Sequence, residues 1–133
     1  MYVIAIDFDN TITEQSNYPI TGKIRPQIKP FLEKCNDIGC TCVLNTCRNG
    51  KYFREALVAL KQAEIYDLFN WKYLEDTSHF GRYGKLLANI YIDDRAFMFN
   101  SHKDLFKEDT TWTYIYSCIK SDIEGTERPV YFS

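Results

Sequence analysis

Val3-Ile4-Ala5-Ile6-Asp7-Phe8-Asp9-Asn10-Thr11 decides the fold: an unbroken apolar run that ends abruptly in carboxylates. Continuous Val and Ile without polar alternation describe a strand covered on both faces, as in a parallel sheet, predicted here over residues 2–8. The pattern returns from Cys40 to Thr46, and again from Asn89 to Ile92, which runs into Asp93-Asp94. Between the strands the period changes. Ile28, Phe31, Leu32, Cys35 and Ile38 recur at helical spacing, with Pro26 suited to the helix start, Pro30 either in its first turn or bending it, and Gly39 as its stop. After the Asn49-Gly50 turn, Phe53, Ala56, Leu57 and Leu60 predict a second helix over about 51–64.

Further out the signals weaken. Residues 12–25 hold Pro19 and Gly22 and read as a turn-rich loop, a small hairpin flap. Leu68 to Trp71 is predicted as a short strand, and 72–84, with Gly81 and Gly84, as loop with at most a short helix. Thr111 to Tyr116 is β-branched and aromatic and predicts a fifth strand. The polar tail over 119–133 carries no clear signal.

Strands alternating with helices give an α/β fold, a three-layer Rossmann-like parallel sheet with helices on both faces and right-handed crossovers. Its 133 residues suit one domain spanning 1–133. A content of 45% hydrophobic and 26% charged residues is that of a globular chain, so no disordered or fibrous class is needed. A net charge of −2 gives no support to nonspecific nucleic-acid binding. No apolar run reaches the roughly 20 residues that span a bilayer, and Asp7 cuts short what would otherwise resemble a signal segment. Five cysteines, an odd number, read as reduced thiols, and the expected location is cytoplasmic.

In such sheets ligands sit beyond the carboxyl ends of the strands. That edge gathers Asp7, Asp9 and Asn10, then Thr46, then Asp93 and Asp94. Paired carboxylates at the end of a buried strand repel each other and lose hydration, so they need a cation or strong hydrogen bonds to remain ionised. An Asx-rich turn would explain one such pair. Two pairs meeting at one edge, with oxygen ligands only, point to a hard cation such as Mg²⁺. A phosphate there would also need donors. Thr46 offers a hydroxyl, Arg48 a planar fork and Lys85 an ammonium, although each alone is an ordinary surface residue.

The ordered set Ile6-Asp7-Phe8-Asp9-Asn10-Thr11-Ile12-Thr13, Val43-Leu44-Asn45-Thr46, Lys85 and Ile92-Asp93-Asp94-Arg95 resembles the four motifs of the haloacid-dehalogenase-like superfamily. The match spans residues 3–95 and departs at Asn10, where many members have Gly. The resemblance implies a magnesium-dependent phosphatase. Asp7 would attack phosphorus and form an aspartyl-phosphate; Asp9 would protonate the leaving oxygen and then activate water. Thr46 and Lys85, with Asn10 and Arg48 nearby, would hold the phosphoryl group. Asp7, the Asp9 carbonyl, Asp93 and Asp94 would serve the metal. An acid two residues after the nucleophile favours phosphate esters over halides, since a halide leaves without a proton.

Family members often carry an inserted lid. Here the interval before Lys85 is filled by one helix and a short strand, and that after Thr11 holds only a flap, so no cap domain is expected. The open site would admit a phosphorylated small molecule or the end of a macromolecule, with Tyr18, Arg48 and Trp71 at the entrance. The alternatives are polynucleotide-end processing and a non-catalytic phosphate- or protein-binding module. Cys35, Cys40, Cys42 and Cys47 invite a zinc reading, but Cys35 falls on a helix's apolar stripe and Cys40 and Cys42 on a buried strand, so small buried thiols explain them better. His79 and His102 lack ligand spacing.

Overall fold

A computed structural model describes residues 1–94 and 104–130. They group into two compact units, one within 1–98 and the other within 99–133. Arg95, the end of the motif match, and His102 lie outside the described residues.

The first unit is built on β1 (Val3–Ile6), α1 (Ile28–Asp37), β2 (Thr41–Leu44), α2 (Gly50–Gln62) and β3 (Ile90–Ile92). The strands are parallel in the order β2-β1-β3, with Ile4 opposite Cys42 on one side and Ile90 on the other. Strand order therefore reverses around β1, and this reversal opens a crevice beyond its carboxyl end. Asp7 donates its N–H to the Ile92 carbonyl at 2.9 Å, and Asn45 donates to the Ile6 carbonyl at 2.9 Å, so the three strand ends stay in step up to the first polar residues.

Alternation sends Ile4, Ile6, Cys42, Leu44, Ile90 and Ile92 to one face, all of them buried. Helix α1 covers this face, its Cys35 thiol in hydrogen-bond contact with the Cys42 thiol; that contact and burial push the Cys35 thiol far above its ordinary range. Pro30 stands in the first turn of α1, where its missing N–H has no partner to lose. The opposite face, with Val3, Ala5 and Val43, is closed within this unit by Tyr73, Leu86, Leu74 and Phe80. These come from short helical turns and loop (Lys72–Glu75, Thr77–His79), so the covering layer is irregular where a helix was expected.

Two predicted strands are corrected. Phe69 to Trp71 is flanked by 3₁₀ turns at Tyr66–Leu68 and Lys72–Glu75, and a single ladder-like bond, Asn70 N–H to Cys42 O at 2.8 Å, reaches the sheet. Trp71 turns away to stack on Tyr66 at 4.7 Å and donates its indole N–H to the Tyr66 carbonyl. The stretch 111–116 lies inside α3 (Asp109–Glu124), in the second unit. There Thr111, Trp112, Ile115, Cys118 and Ile119 repeat at helical spacing, Asp109 sits in the positive first turn and Gly125 closes the helix at φ 73°. Periodicity and caps outweigh the β preference of individual Thr and Tyr residues. Trp112 donates to the Phe106 carbonyl at 2.7 Å and packs on its ring at 5.3 Å. No helix among the described residues is long and apolar enough to cross a membrane.

The flap is a short antiparallel excursion in which Thr13 pairs with Ile24 and Glu14 donates to the Lys23 carbonyl at 2.7 Å. Gly22 permits that approach, since a Cβ there would lie 2.6 Å from the Glu14 carbonyl oxygen. Gly22→Ala is expected to cost about 1–3 kcal/mol by displacing backbone. Thermal unfolding should show the loss and limited proteolysis should cut faster within 14–24; an unchanged Tm and cleavage rate would contradict this.

Candidate active site

The backbone after β1 makes a single π-type turn over Phe8–Ile12, in which Asn10 adopts φ 63°. This left-handed conformation suits Gly, and Asn is among the few side chains that tolerate it. Asn10 is also held, its Oδ1 accepting from Ser16 N–H at 3.0 Å and its own N–H donating to Thr13 Oγ1 at 3.0 Å. The departure from the motif therefore preserves the turn. Arg25, buried to 2% exposure, braces it from behind: Nε donates to the Thr11 carbonyl at 2.7 Å and Nη2 to the Asn10 carbonyl at 3.0 Å.

A cavity of about 540 Å³ opens at the carboxyl edge of the sheet. The segment after β1 contributes Asp7, Asp9 and Asn10, that after β2 contributes Asn45, Thr46, Cys47 and Arg48, and that after β3 contributes Asp93 and Asp94. The flap adds Tyr18. All but one of the residues expected to act together thus line one space.

The exception is Lys85. Among the described residues it does not line the cavity; its ammonium stands 5.5 Å from the centroid of Tyr91, drawn to the ring's electron-rich face. Trp71, expected at the entrance, is likewise held by Tyr66 instead. Cys35, Cys40 and Cys42 are buried thiols and Cys47 is exposed.

Arg48 behaves differently from the free phosphate fork that the sequence suggested. Its guanidinium is bidentate on Asp9, Nε to Oδ2 at 2.8 Å and Nη2 to Oδ1 at 2.6 Å. The remaining donors reach Tyr52 O at 3.2 Å, Pro19 O at 3.3 Å and Thr21 Oγ1 at 3.4 Å. The group lies over Phe8 at 5.1 Å and Tyr18 at 5.2 Å. Its side chain is 1% exposed, so this cation is committed within the protein. The Asp9 hydrogen bonds and charge raise its already high pKa further, outweighing burial, which acts against them. Thr46 Oγ1 accepts from Arg48 N–H at 3.1 Å, which leaves the hydroxyl proton available to a ligand.

Asp7 shares the cavity with Asp93 and Asp94 as well as Asp9. Burial above all, then Asp94, Asp93 and Asp9, pushes the Asp7 carboxyl from 3.8 up to about 7, against a lowering by the Phe8 N–H. A carboxylate so raised is one that a cation would return to its ionised form. Among the described residues no three carboxylate, thiol or imidazole groups stand close enough to cage an ion by themselves. Mg²⁺ does not ask for that, since it keeps several waters and takes one or two carboxylates. The groups that would be offered to it here, the Asp7 and Asp93 carboxylates and the Asp9 carbonyl, are oxygen donors of the right hardness on residues lining one cavity.

No family model matches the chain, and none of the curated proteins does. One solved structure is similar, described as a conserved protein coded by a locus of Bacteroides thetaiotaomicron; it shares 27% identity over 90% of each chain, with a TM-score of 0.63.

Proposed function

We propose that the protein is a magnesium-dependent phosphomonoesterase with Asp7 as nucleophile. One observation carries the reading: the segments following all three strands converge on one open cavity and bring Asp7, Asp9, Thr46, Asp93 and Asp94 to it. Asp7 attacks phosphorus as the ester P–O bond breaks, giving an aspartyl-phosphate and a leaving oxygen that takes a proton from Asp9. Water then attacks phosphorus, Asp9 accepts its proton, and inorganic phosphate leaves with Asp7 restored. Thr46 donates its hydroxyl proton to a phosphoryl oxygen. Mg²⁺, held by Asp7, Asp93 and the Asp9 carbonyl with Asp94 behind, would neutralise charge on the transferring group.

The test is Mg²⁺-dependent release of phosphate from a panel of sugar phosphates, nucleotides, end-phosphorylated oligonucleotides and an aryl phosphate, with Asp7→Asn as control. Inert wild-type protein that still binds phosphate would move the non-catalytic module ahead. The bidentate engagement of Asp9 by Arg48 is the observation that favours that second reading, because the acid must share its oxygens with a fixed cation.

Lys85 supplies a further test. A cation–π contact at an exposed site is worth about 0.5–1 kcal/mol, a small cost for Lys85 to leave Tyr91 for a dianionic phosphate. Lys85→Ala is expected to lower kcat/KM by roughly 100-fold, about 2.7 kcal/mol of transition-state stabilisation. A loss under threefold would mean that Lys85 stays on Tyr91 and takes no part.

A further inference from the structure

We propose that Tyr18 is the specificity-determining wall of the cavity, selecting phosphate esters whose leaving group carries a planar aromatic ring, and that Arg48 is the positioning residue that holds it there. The proposal rests on the phosphatase reading of the same site and adds the substrate class. Among the described residues lining the cavity, Tyr18 alone carries an aromatic ring. The rest of the lining is carboxylate, amide, hydroxyl, thiol and the committed guanidinium, so a flat apolar leaving group could leave water only against this ring.

Tyr18 is 57% exposed, unusual for a side chain tethered on several sides. Arg48 lies 5.2 Å from its centroid, and the Tyr52 ring meets it at 5.7 Å with a 60° tilt. Its own segment is tied down as well. Pro19 and Thr21 accept from Arg48, Ile20 N–H donates to the Asn17 carbonyl at 2.9 Å, and Ser16 Oγ donates to the Ile20 carbonyl at 3.0 Å. An exposed ring would ordinarily be free to rotate into solvent. Here its ordering cost is met before any ligand arrives, which is the condition under which stacking contributes fully to affinity. The cation that holds the ring is the one that grips Asp9, so the wall and the acid are fixed by a single side chain.

The matched probes are adenosine 5′-monophosphate and ribose 5-phosphate, which carry the same phosphorylated ribose with and without a base. With Mg²⁺, wild-type kcat/KM should favour the nucleotide by about tenfold or more, the scale of one base stacked on one aromatic ring. Tyr18→Ala should bring the ratio near one through KM, and Tyr18→Phe should retain it. Arg48→Lys, which keeps the charge but not the fork, should lower the ratio as well as the rate. Binding supplies an answer independent of turnover. Isothermal titration of both probes into Asp7→Asn protein with Mg²⁺ should show the same preference, lost in Asp7→Asn/Tyr18→Ala. That preference in binding, without turnover by the wild type, would sink the phosphatase reading and keep the wall. Equal affinity for the two probes, no binding of either, or a preference that survives Tyr18→Ala would overturn the proposal.

Discussion

Asp7→Asn is expected to reduce Mg²⁺-dependent turnover at least 1,000-fold, on the order of 4 kcal/mol of lost transition-state stabilisation, while making the metal-free protein more stable at pH 8. The first effect is loss of the nucleophile. The second follows from the surroundings of Asp7, whose folded-state pKa of about 7 stands above the ordinary 3.8. A carboxyl raised on folding favours the folded state most when protonated. Its contribution is fully present below pH 3.8 and is lost as pH rises through about 7, so the metal-free wild type weakens across that window. Asn cannot ionise and escapes the loss. Because Asp7 is partly open to solvent, the difference above pH 7 is expected to be about 1–2 kcal/mol, discounted for screening, or roughly 3–8 °C in Tm. Melting curves of both proteins without metal at pH 4 and pH 8 check it: the gap should be small at pH 4 and open at pH 8. Saturating Mg²⁺ should narrow it by raising the wild type more than the variant, which keeps Asp93 and the Asp9 carbonyl but lacks the Asp7 carboxylate. A gap that is constant across pH would mean that Asp7 carries no such burden.

Arg48→Met should be the most destabilising single change at the site. Its guanidinium is almost wholly buried, and it satisfies both oxygens of Asp9 and carbonyls on two other segments. Removing it leaves a partly buried carboxylate unpaired, Pro19 O and Tyr52 O short of a donor, and the rings of Phe8 and Tyr18 without the group between them. About 3 kcal/mol is expected, a fall in Tm of roughly 10 °C. Asp9→Asn/Arg48→Met should recover a large share of this, since the uncompensated charge is then gone. If the double variant is no more stable than Arg48→Met, the cost lies in the flap contacts and not in the ion pair.

What the sequence disclosed follows a physical division. The strand ends were legible because an apolar run that stops abruptly on polar residues has one sensible place in an α/β fold, and the runs before Asp7, Asn45-Thr46 and Asp93 all obey it. The hairpin flap was legible from Pro19 and Gly22. Residues 111–116 misled because Thr, Trp, Tyr and Ile carry strong β preferences; the competing signal, an apolar repeat closed by Gly125, becomes visible only over a window of four turns. Leu68 to Trp71 misled because short apolar runs carry no period. Arg25 was invisible as a site residue: nothing in Ile24-Arg25-Pro26 announces a cation that will be spent on two carbonyls of a loop near the start of the chain. Arg48 was legible as a planar fork, but not its engagement with Asp9, because that partner is fixed by a contact 39 residues away in sequence. The resting place of Lys85 on Tyr91 was hidden for the same reason, since whether an ammonium rests on a ring or elsewhere is a property of the fold.

The chain holds two tryptophans, and the two units hold one each. Trp71 is stacked on Tyr66 with its indole N–H on that residue's carbonyl, and Trp112 is packed on Phe106 with its N–H on that residue's carbonyl. Each chromophore therefore has a ring and a carbonyl partner within its own unit, and the protein carries a separate optical reporter for each. With Trp71→Phe the intrinsic emission follows the helical C-terminal unit, and with Trp112→Phe it follows the unit that bears the acidic cavity. Denaturation traced through both variants reads directly how far the loss of one unit entails the loss of the other.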